Sequence, residues 1–218
     1  MLIVKNLNKS FSNIHVLRDV SFSIALGKIC ALTGANGCGK TTFLKCLSGL
    51  VNYESGSVEF KSMSNFLFLS DKNNIFGDLT IEENLNVICR YRNQNFDKDV
   101  FNESLQRLDI KNLSTLPLKY FSQGNLQRNK LCIAMNLGWD YLFIDEPFSN
   151  LDSNGIQVFK EVFTTLKLQN KTIIFSTHHL DESRSICDNM ISIENTTITN
   201  YAISVSYTHL TLPTKRIV

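Results

Sequence analysis

The chain lacks long apolar stretches. No run in its 218 residues approaches the roughly 20 apolar residues that a helix needs to cross a bilayer. The first stretch, Met1 to Phe11, has only short apolar segments interrupted by Lys5 and Lys9, so it also lacks the apolar core of a signal peptide. A membrane-spanning or secreted protein is therefore not expected. If the chain serves a membrane, another chain must span it.

The chain also has little net charge and no clustered cysteines. Its 22 basic and 20 acidic residues leave a formal charge of +2, which gives no electrostatic case for nucleic acid or an anionic membrane surface. Its six cysteines form no Cys-x-x-Cys pair and no Cys/His spacing typical of a metal site, so we interpret them as reduced cytosolic thiols. Internal repeats are absent, and 43% hydrophobic residues provide enough apolar material for a core.

Residues near the end of the chain match the translation of an adapter sequence. Residues 205–214 read VSYTHLTLPT, which is the translation of GTCTCTTATACACATCTGACGCTGCCGACG, a transposon adapter used in sequencing libraries. Because ten consecutive matches are hard to obtain by chance, we expect residues 205–218 to be a sequencing artefact and residues 1–204 to be the natural domain. The alternative is a genuine threonine-rich tail.

Short apolar runs and helical patterns alternate along most of the chain, which is typical of an α/β fold. Strands are predicted over residues 2–7, 20–25, 28–32, 57–60, 66–69, 141–144, 172–176 and 190–193, and helices over 40–50, 152–168 and 179–188. Apolar residues at spacings of three and four predict three further helices, at 81–91, 100–108 and 123–137. We expect this middle part, about residues 71–137, to be a helical lobe inserted into the α/β lobe.

A glycine-rich loop lies between a predicted strand and a predicted helix. The run Gly34-Ala35-Asn36-Gly37-Cys38-Gly39-Lys40-Thr41-Thr42 contains the pattern G-x-x-x-x-G-K-[ST]. Backbone N–H groups and the helix N-terminus surround nucleotide phosphates in such a loop, and glycines allow the backbone to approach closely. Lys40 is expected to place its ammonium on the β- and γ-phosphates, and the Thr41 hydroxyl to bind Mg²⁺.

A second apolar run ends in two carboxylates, Asp145 and Glu146. Beside a phosphate loop, Asp145 is expected to hold Mg²⁺ and Glu146 to polarise the attacking water. Taken alone, a strand that ends in acids could equally be an ordinary boundary between a strand and a turn.

Two further segments resemble one family. Residues 147–152 (PFSNLD) resemble the D-loop of ATP-binding cassette (ABC) ATPases, with Asp152 at its end, and residues 121–125 (FSQGN) resemble their LSGGQ signature. Ser122 and Gly124 are retained, whereas Gln123 and Asn125 depart from the signature. The resemblance implies that Ser122, Gly124 and Asn125 complete the ATP site of an opposite subunit, so that hydrolysis requires a dimer. Ser122 is also expected to cap the helix that begins after it.

Three more positions follow from the resemblance. Residues 176–182 (STHHLDE) resemble the switch region, which implies that His178 contacts the γ-phosphate and the attacking water. Phe11 matches the aromatic residue that stacks on adenine, with ordinary core packing as an equal alternative. The Gln that binds Mg²⁺ in relatives and links the site to the transmembrane partner falls on Asp71, a further candidate Mg²⁺ ligand.

The resemblance covers about residues 1–200 and implies a P-loop NTPase with a parallel core sheet, an antiparallel N-terminal β part and an inserted helical subdomain. It implies that the chain binds ATP and Mg²⁺, hydrolyses ATP with Glu146, His178 and Lys40 as catalytic residues, and pairs with a second ABC subunit. A transmembrane permease would hold it on the inner face of the cell membrane, and no nucleic-acid partner is expected. The alternatives are a soluble, non-transport ABC ATPase and a phosphate-loop kinase, although a kinase leaves the signature and D-loop unexplained.

Overall fold

The computed structural model describes residues 1–60, 65–70 and 76–202, with side chains up to Thr199. Within these ranges the chain forms nine strands and six α-helices, arranged as a three-stranded sheet, a six-stranded sheet and a group of helices. The α/β fold predicted from the sequence is confirmed. Among the helices of these ranges, none has the length and apolarity needed to cross a membrane.

The N-terminal sheet is antiparallel, as expected. Its strands β1 (Leu2–Phe11), β2 (Ile14–Ile24) and β4 (Ser55–Phe60) lie in the order β2-β1-β4. Ser12 and Asn13 connect β1 to β2 with φ angles of 47° and 68°, the backbone of a tight hairpin turn. The predicted strands 2–7 and 20–25 were too short because the hairpin end is polar and exposed, so backbone pairing rather than burial defines it.

The larger sheet forms the centre of the molecule. Its order is β5-β6-β7-β3-β8-β9, with the first five strands parallel and β9 antiparallel to β8. The strands are β3 (Ile29–Thr33), β5 (Phe66–Leu69), β6 (Tyr141–Ile144), β7 (Thr172–Ser176), β8 (Asn189–Glu194) and β9 (Thr197–Ala202). β3, β6 and β7 are buried throughout, which explains why they read as continuous apolar runs in the sequence.

Alternate residues of the parallel strands pack into two separate cores. On β3, Ile29 and Ala31 belong to the core shared with the helical subdomain, whereas Cys30 and Leu32 face the N-terminal sheet and the helix after the glycine loop. This is the period of two expected for a strand covered on both faces. The glycine loop is therefore anchored to a strand that is packed on both sides.

Three helices pack on the α/β part: α1 (Lys40–Leu47), α5 (Ser153–Leu168) and α6 (Leu180–Arg184). The predicted helix over 179–188 was wrong in length, because α6 has only five residues. Asp188 immediately precedes β8, and its carboxylate accepts hydrogen bonds from the Ile29 amide and the Lys28 ammonium. These hydrogen bonds fix the residue before β8 to the start of β3, so the helix ends before it.

The helical subdomain is confirmed by α2 (Ile81–Tyr91), α3 (Lys98–Arg107) and α4 (Gln123–Asn136). α2 begins with a capping box, in which the Thr80 hydroxyl accepts from the Glu83 amide and the Glu83 carboxylate accepts from the Thr80 amide. Leu85 of α2, Phe101 of α3 and Leu131 of α4 share one core cluster with the central sheet. The subdomain therefore packs directly on the sheet.

Candidate functional site

The loop between β3 and α1 has a backbone conformation that lets a ligand approach closely. Gly34, Gly37 and Gly39 have φ angles of 137°, 81° and 110°, which residues with a side chain rarely adopt. A Cβ on Gly34 would lie 2.6 Å from the Ile193 carbonyl oxygen and 2.7 Å from Cys38 Sγ. Only glycine fits at Gly34. Ala35, Asn36 and Gly37 form the exposed tip of the loop.

Lys40 lies inside this loop, with 7% of its surface exposed. Its ammonium donates to the carbonyl oxygens of Gly34 at 2.9 Å and Ala35 at 3.2 Å, and forms no ion pair with any carboxylate in the described part of the chain. A buried cation held only by carbonyl dipoles is suited to an anionic ligand. The adjacent N-terminus of α1, on which Thr41 and Thr42 lie, adds positive potential in the same place.

Asp145 follows β6 and connects the loop to the neighbouring strand. Its Oδ2 accepts a hydrogen bond from the Thr41 hydroxyl at 2.7 Å, and its Oδ1 accepts one from the Ser176 hydroxyl. Thr41 and Asp145 thus place two hard oxygen ligands together, as Mg²⁺ requires. Mg²⁺ needs few protein ligands, because it keeps water and phosphate oxygens in its coordination shell.

Glu146 has a left-handed backbone, with φ at 46°. Its amide donates to both the carbonyl and the hydroxyl oxygen of Ser176, at 3.2 and 3.0 Å. Its Oε2 lies 2.8 Å from Nδ1 of His178, the residue that the switch-region resemblance selected. The second histidine, His179, stacks beside His178 with ring centroids 4.2 Å apart. The structure therefore brings together Lys40, Thr41, Asp145, Glu146 and His178.

The signature residues lie elsewhere in the chain, at the N-terminus of α4. Ser122 caps this helix as predicted, because its hydroxyl accepts from the Asn125 amide at 3.3 Å. A Cβ on Gly124 would lie 2.7 Å from the Asn150 carbonyl oxygen, so the signature packs tightly on the loop after Glu146. In the described ranges, no hydrogen bond or ion pair joins Ser122, Gly124 or Asn125 to the phosphate loop.

Asp152 caps α5 and ties it to the signature helix. Its carboxylate accepts from the Gly155 amide at 2.8 Å and lies 3.5 Å from the Arg128 guanidinium. Arg128 also donates to the Leu108 carbonyl at 2.7 Å. The D-loop position and the signature helix therefore form one connected unit.

Phe11 is at the tip of the β1-β2 hairpin, and 49% of its surface is exposed. The alternative that it is an ordinary core residue is therefore wrong. The Lys9 ammonium lies 4.6 Å from its ring centroid. A Cβ on Gly39 would lie 2.8 Å from Val16 of the same hairpin, so the hairpin borders the phosphate loop. Asp71 lies outside the described residues, and its assignment as a Mg²⁺ ligand stays a prediction.

Sequence reasoning did not assign Ser176, which hydrogen-bonds both Asp145 and Glu146. The available signal was its place at the end of an apolar run, directly before the switch histidine. In parallel sheets the carboxyl ends of neighbouring strands meet at one edge. β6, β7 and β3 are neighbours, and they bring Asp145, Ser176 and the loop to that edge.

A glycine loop between a parallel strand and a helix, beside a strand that ends in an acidic pair, defines a P-loop nucleotide-binding protein. Residues 17–149 match the family described as ABC transporter. The chain therefore belongs to the family of ABC transporter ATP-binding proteins, and it is an ATP-binding subunit of this kind. ATPase activity is general for this family.

Two curated relatives are similar over most of their length. The phosphonates import ATP-binding protein PhnC of Fusobacterium nucleatum subsp. nucleatum is 30% identical, with 88% of each chain covered. The lantibiotic transport ATP-binding protein SrtF of Streptococcus pyogenes is 30% identical, with 86% of this chain and 84% of the relative covered.

Two solved structures share the fold. The ATP binding subunit of an ABC transporter is 24% identical, with a TM-score of 0.83 and coverage of 93% of this chain and 90% of the other. The dimeric structure of MJ0796, a bacterial ABC transporter cassette, is 19% identical, with a TM-score of 0.85 and coverage of 94% and 99%.

Proposed function

We propose that this chain binds ATP with Mg²⁺ at an interface between two ABC subunits, hydrolyses it by attack of water on the γ-phosphate, and thereby drives a transmembrane permease. The observation that carries the proposal is Asp145, which hydrogen-bonds Thr41 at the phosphate loop while the adjacent Glu146 contacts His178. These residues supply, at one edge of the sheet, the groups that phosphoryl transfer to water needs.

The phosphate loop binds and orients the triphosphate in this proposal. The Lys40 ammonium exchanges its carbonyl partners for β- and γ-phosphate oxygens, and the amides of residues 34–42 donate to the remaining oxygens. Thr41 and Asp145 hold Mg²⁺, which supplies charge neutralisation on the phosphates when bound. Phe11 is the proposed adenine platform, since its exposed ring lies on the hairpin that borders the loop.

Glu146 and His178 are the proposed groups for the attacking water. The Glu146 carboxylate accepts a hydrogen bond from the water and orients or deprotonates it. His178, whose Nδ1 lies 2.8 Å from this carboxylate, is the proposed contact for the γ-phosphate. Because Asp145 and Glu146 have separate partners, one carboxylate is available for the metal and the other for the water.

The opposite subunit completes the site in the proposal. Ser122, Gly124 and Asn125 lie at the N-terminal end of a 14-residue helix, where the helix dipole favours an anion. In this proposal they act on the γ-phosphate bound by the opposite subunit. Asp152 ties this helix end to α5 through Arg128. The dimeric structure of the MJ0796 cassette supports such pairing.

The proposed permease-docking site is an apolar groove between the sheet edge and the helical subdomain, which we call the docking groove. Its volume is about 530 Å³, and four large apolar residues around it are exposed: Leu50, Phe76, Val87 and Tyr91. An exposed apolar patch of this kind is typical of an interaction surface. One wall is β5, whose end leads directly to Asp71, the position that in relatives links the site to the transmembrane partner.

Apolar side chains dominate the lining of the docking groove, which favours an apolar occupant. Among the described residues, the charged side chains that line it are those of Arg92 and Lys130. Arg92 donates to the carbonyls of Phe66 at 3.1 Å and Gly138 at 3.5 Å. We propose that an apolar cytoplasmic segment of the permease occupies the groove. In this proposal the permease holds the chain on the inner face of the membrane.

A matched pair of variants tests the docking proposal. Val87→Glu introduces a charge into the groove, whereas Val100→Glu does the same on α3 outside the groove, at nearly equal exposure (40% and 38%). We expect that, when the natural operon is expressed, the wild type and V100E co-purify with a multi-span membrane protein and V87E does not, with basal ATPase unchanged. Equal retention of V87E and V100E would exclude the groove as the docking site.

The hydrolytic proposal is tested by two substitutions with different expected results. Glu146→Gln keeps the shape of the side chain and loses its basicity, so it should bind MgATP normally, hydrolyse it at least about 100-fold more slowly, and dimerise more visibly by light scattering. Lys40→Ala removes a charge from the phosphates and should weaken ATP binding itself in a fluorescence titration. Wild-type hydrolysis by E146Q would show that Glu146 does not activate the water. Wild-type ATP affinity of K40A would show that Lys40 does not bind the phosphates.

A further inference from the structure

Gln127 and Lys130 form a buried polar pair on α4, one turn after the signature. Each has 2% of its surface exposed. Burying a lysine is costly unless its ammonium is hydrogen-bonded, and lysine is seldom fully buried. The folded chain therefore keeps this pair buried despite the desolvation cost of the lysine. Neither residue is among those proposed above to bind or hydrolyse ATP.

The contact between the two residues fixes the orientation of the Gln127 amide. The Lys130 ammonium donates to Gln127 Oε1 at 3.1 Å. An ammonium has no acceptor, so the amide must turn its oxygen toward Lys130 and its NH₂ group away. That NH₂ group lies 3.5 Å from the backbone carbonyl oxygen of Glu146.

The backbone of Glu146 is the place where such a contact matters. Its left-handed conformation, with φ at 46°, is unfavourable for a residue with a side chain and persists only when neighbours hold it. Ser176 binds its amide, and the Ser149 amide donates to its carbonyl at 3.2 Å. Gln127 adds a second donor to the same carbonyl. Gln127 belongs to the helical subdomain, whereas Ser176 belongs to the central sheet.

We propose that Gln127 and Lys130 are positioning residues that hold the Glu146 backbone, and with it the direction of the carboxylate that acts on water. Lys130 orients Gln127, and Gln127 acts on Glu146. Lys130 also lines the docking groove, so the pair lies between the proposed permease contact and the proposed water-activating residue. The inference rests on the proposed function, since it assigns a role relative to Glu146.

Steady-state ATPase kinetics of the purified chain test the proposal through three variants. Gln127→Leu removes the amide, Lys130→Met removes the ammonium with little change of size, and the double variant combines them. We expect each single variant to lower kcat about tenfold while the KM for ATP stays within about twofold, because the phosphate loop is untouched. The double variant should fall no further than Q127L, because in this proposal Lys130 acts on Glu146 through Gln127. Lys130→Arg, which keeps a donor, should recover part of kcat.

Controls separate positioning from a structural role. Lys111→Met removes an exposed lysine and should match the wild type. If the two residues had only a structural role, their variants would lower the melting temperature and change kcat and KM together, and the effects would add in the double variant. Either this outcome or a wild-type kcat for Q127L would overturn the proposal. E146Q in the same assay keeps the two proposals distinct. If E146Q is inactive and Q127L is normal, only the positioning role fails.

Discussion

At the scale of single residues, Asp145 and Glu146 are adjacent in sequence but have different hydrogen-bond partners. Asp145 is bonded to the hydroxyls of Thr41 and Ser176, whereas Glu146 is turned by its left-handed backbone toward His178. Neighbouring residues on a regular strand would point to opposite faces of the sheet. The turn after β6 instead lets both serve one site, one beside the phosphate loop and the other at the switch histidine.

Gly124 offers a direct test of the packing between the signature and the D-loop. In Gly124→Ala, the new Cβ would lie 2.7 Å from the Asn150 carbonyl oxygen, a backbone atom that cannot easily move. We expect about 1–3 kcal/mol of destabilisation, hence a melting temperature lower by several degrees, together with impaired hydrolysis.

Gly77→Ala is the matched control for Gly124→Ala, because among the described residues its Cβ would have no neighbour closer than 3.6 Å. Thermal melts and ATPase rates of both variants decide the question. If G124A and G77A behave alike, the signature does not pack on the D-loop as described.

The sequence predicted the charged residues of the site better than the residues that position them. Lys40, Asp145 and Glu146 follow from short patterns, because phosphate and metal chemistry requires those side chains at those spacings. Ser176 and Gln127 act through tertiary contacts with Glu146, across about 30 and 19 positions of sequence. No local spacing encodes such contacts, so only the structure shows them.

At the scale of elements, burial decided which boundaries the sequence could predict. β5, β6 and β7 begin and end where predicted, because their apolar runs are bounded by polar residues. β9 (Thr197–Ala202) was not predicted, since apolar and polar residues alternate only weakly along it and its register comes from pairing with β8. The outer half of the β1-β2 hairpin was missed for the same reason.

Asp188 anchors the junction between α6, β8 and β3. Its Oδ1 accepts from the ammonium groups of Lys28 and Lys167 at 3.0 and 2.8 Å, and its Oδ2 accepts from the Ile29 amide at 2.9 Å. Burial raises the pKa of this carboxyl, but the hydrogen bonds from Ile29, Lys167 and Lys28 together hold it below its ordinary value. The ionised carboxylate therefore stabilises the folded state.

Asp188→Asn should lower the free energy of unfolding by about 1–3 kcal/mol at neutral pH, measured by urea denaturation. Since the folded pKa is depressed, this contribution is fully present above the unfolded pKa of about 4 and is lost as pH falls through the folded pKa. The difference from wild type should thus be equal at about pH 7.5 and pH 5.5 and shrink only below about pH 4.

Glu59→Gln is the control for Asp188→Asn, because it breaks an exposed ion pair with Lys5 at 3.6 Å and should change stability by less than about 1 kcal/mol. A difference between D188N and wild type that already disappears at pH 5.5 would contradict the anchoring role.

At the scale of the whole molecule, the parallel sheet explains where the site lies. Two apolar cores cover its faces and leave the carboxyl edge of β6, β7 and β3 free for loops. Ligands of open parallel sheets bind at this edge. The phosphate loop, Asp145 and Ser176 all follow from that single arrangement, while the signature reaches the outside on a separate helical subdomain.

Ending the chain after Ser204 should leave the melting temperature within about 1 °C of the full chain and leave ATP binding unchanged, because we expect residues 205–218 to come from a sequencing adapter and not to have been selected to pack. Residues 203–218 lie outside the described part of the chain. Ending it after Thr196 is the control, since this removes β9 and should destabilise the sheet. A large loss of melting temperature from the cut after Ser204 would show that the tail is structural.

Cys38 allows the most direct test of whether the loop at residues 34–42 holds ATP. Cys38 is partly exposed, and its Sγ lies against Gly34 inside the loop. The other five cysteines are buried, and burial raises their thiol pKa values, to about 11 for Cys46 and about 12 for Cys132 and Cys187. They serve as internal controls that should react slowly with or without nucleotide.

The measurement is maleimide labelling of each cysteine, followed by mass spectrometry of the peptides, with and without MgATP. We predict that a bulky maleimide on Cys38 blocks ATP binding, that MgATP protects Cys38 from labelling, and that Cys38→Ala stays active and becomes resistant to the reagent. Equal labelling of Cys38 in both conditions would mean that ATP does not occupy this loop.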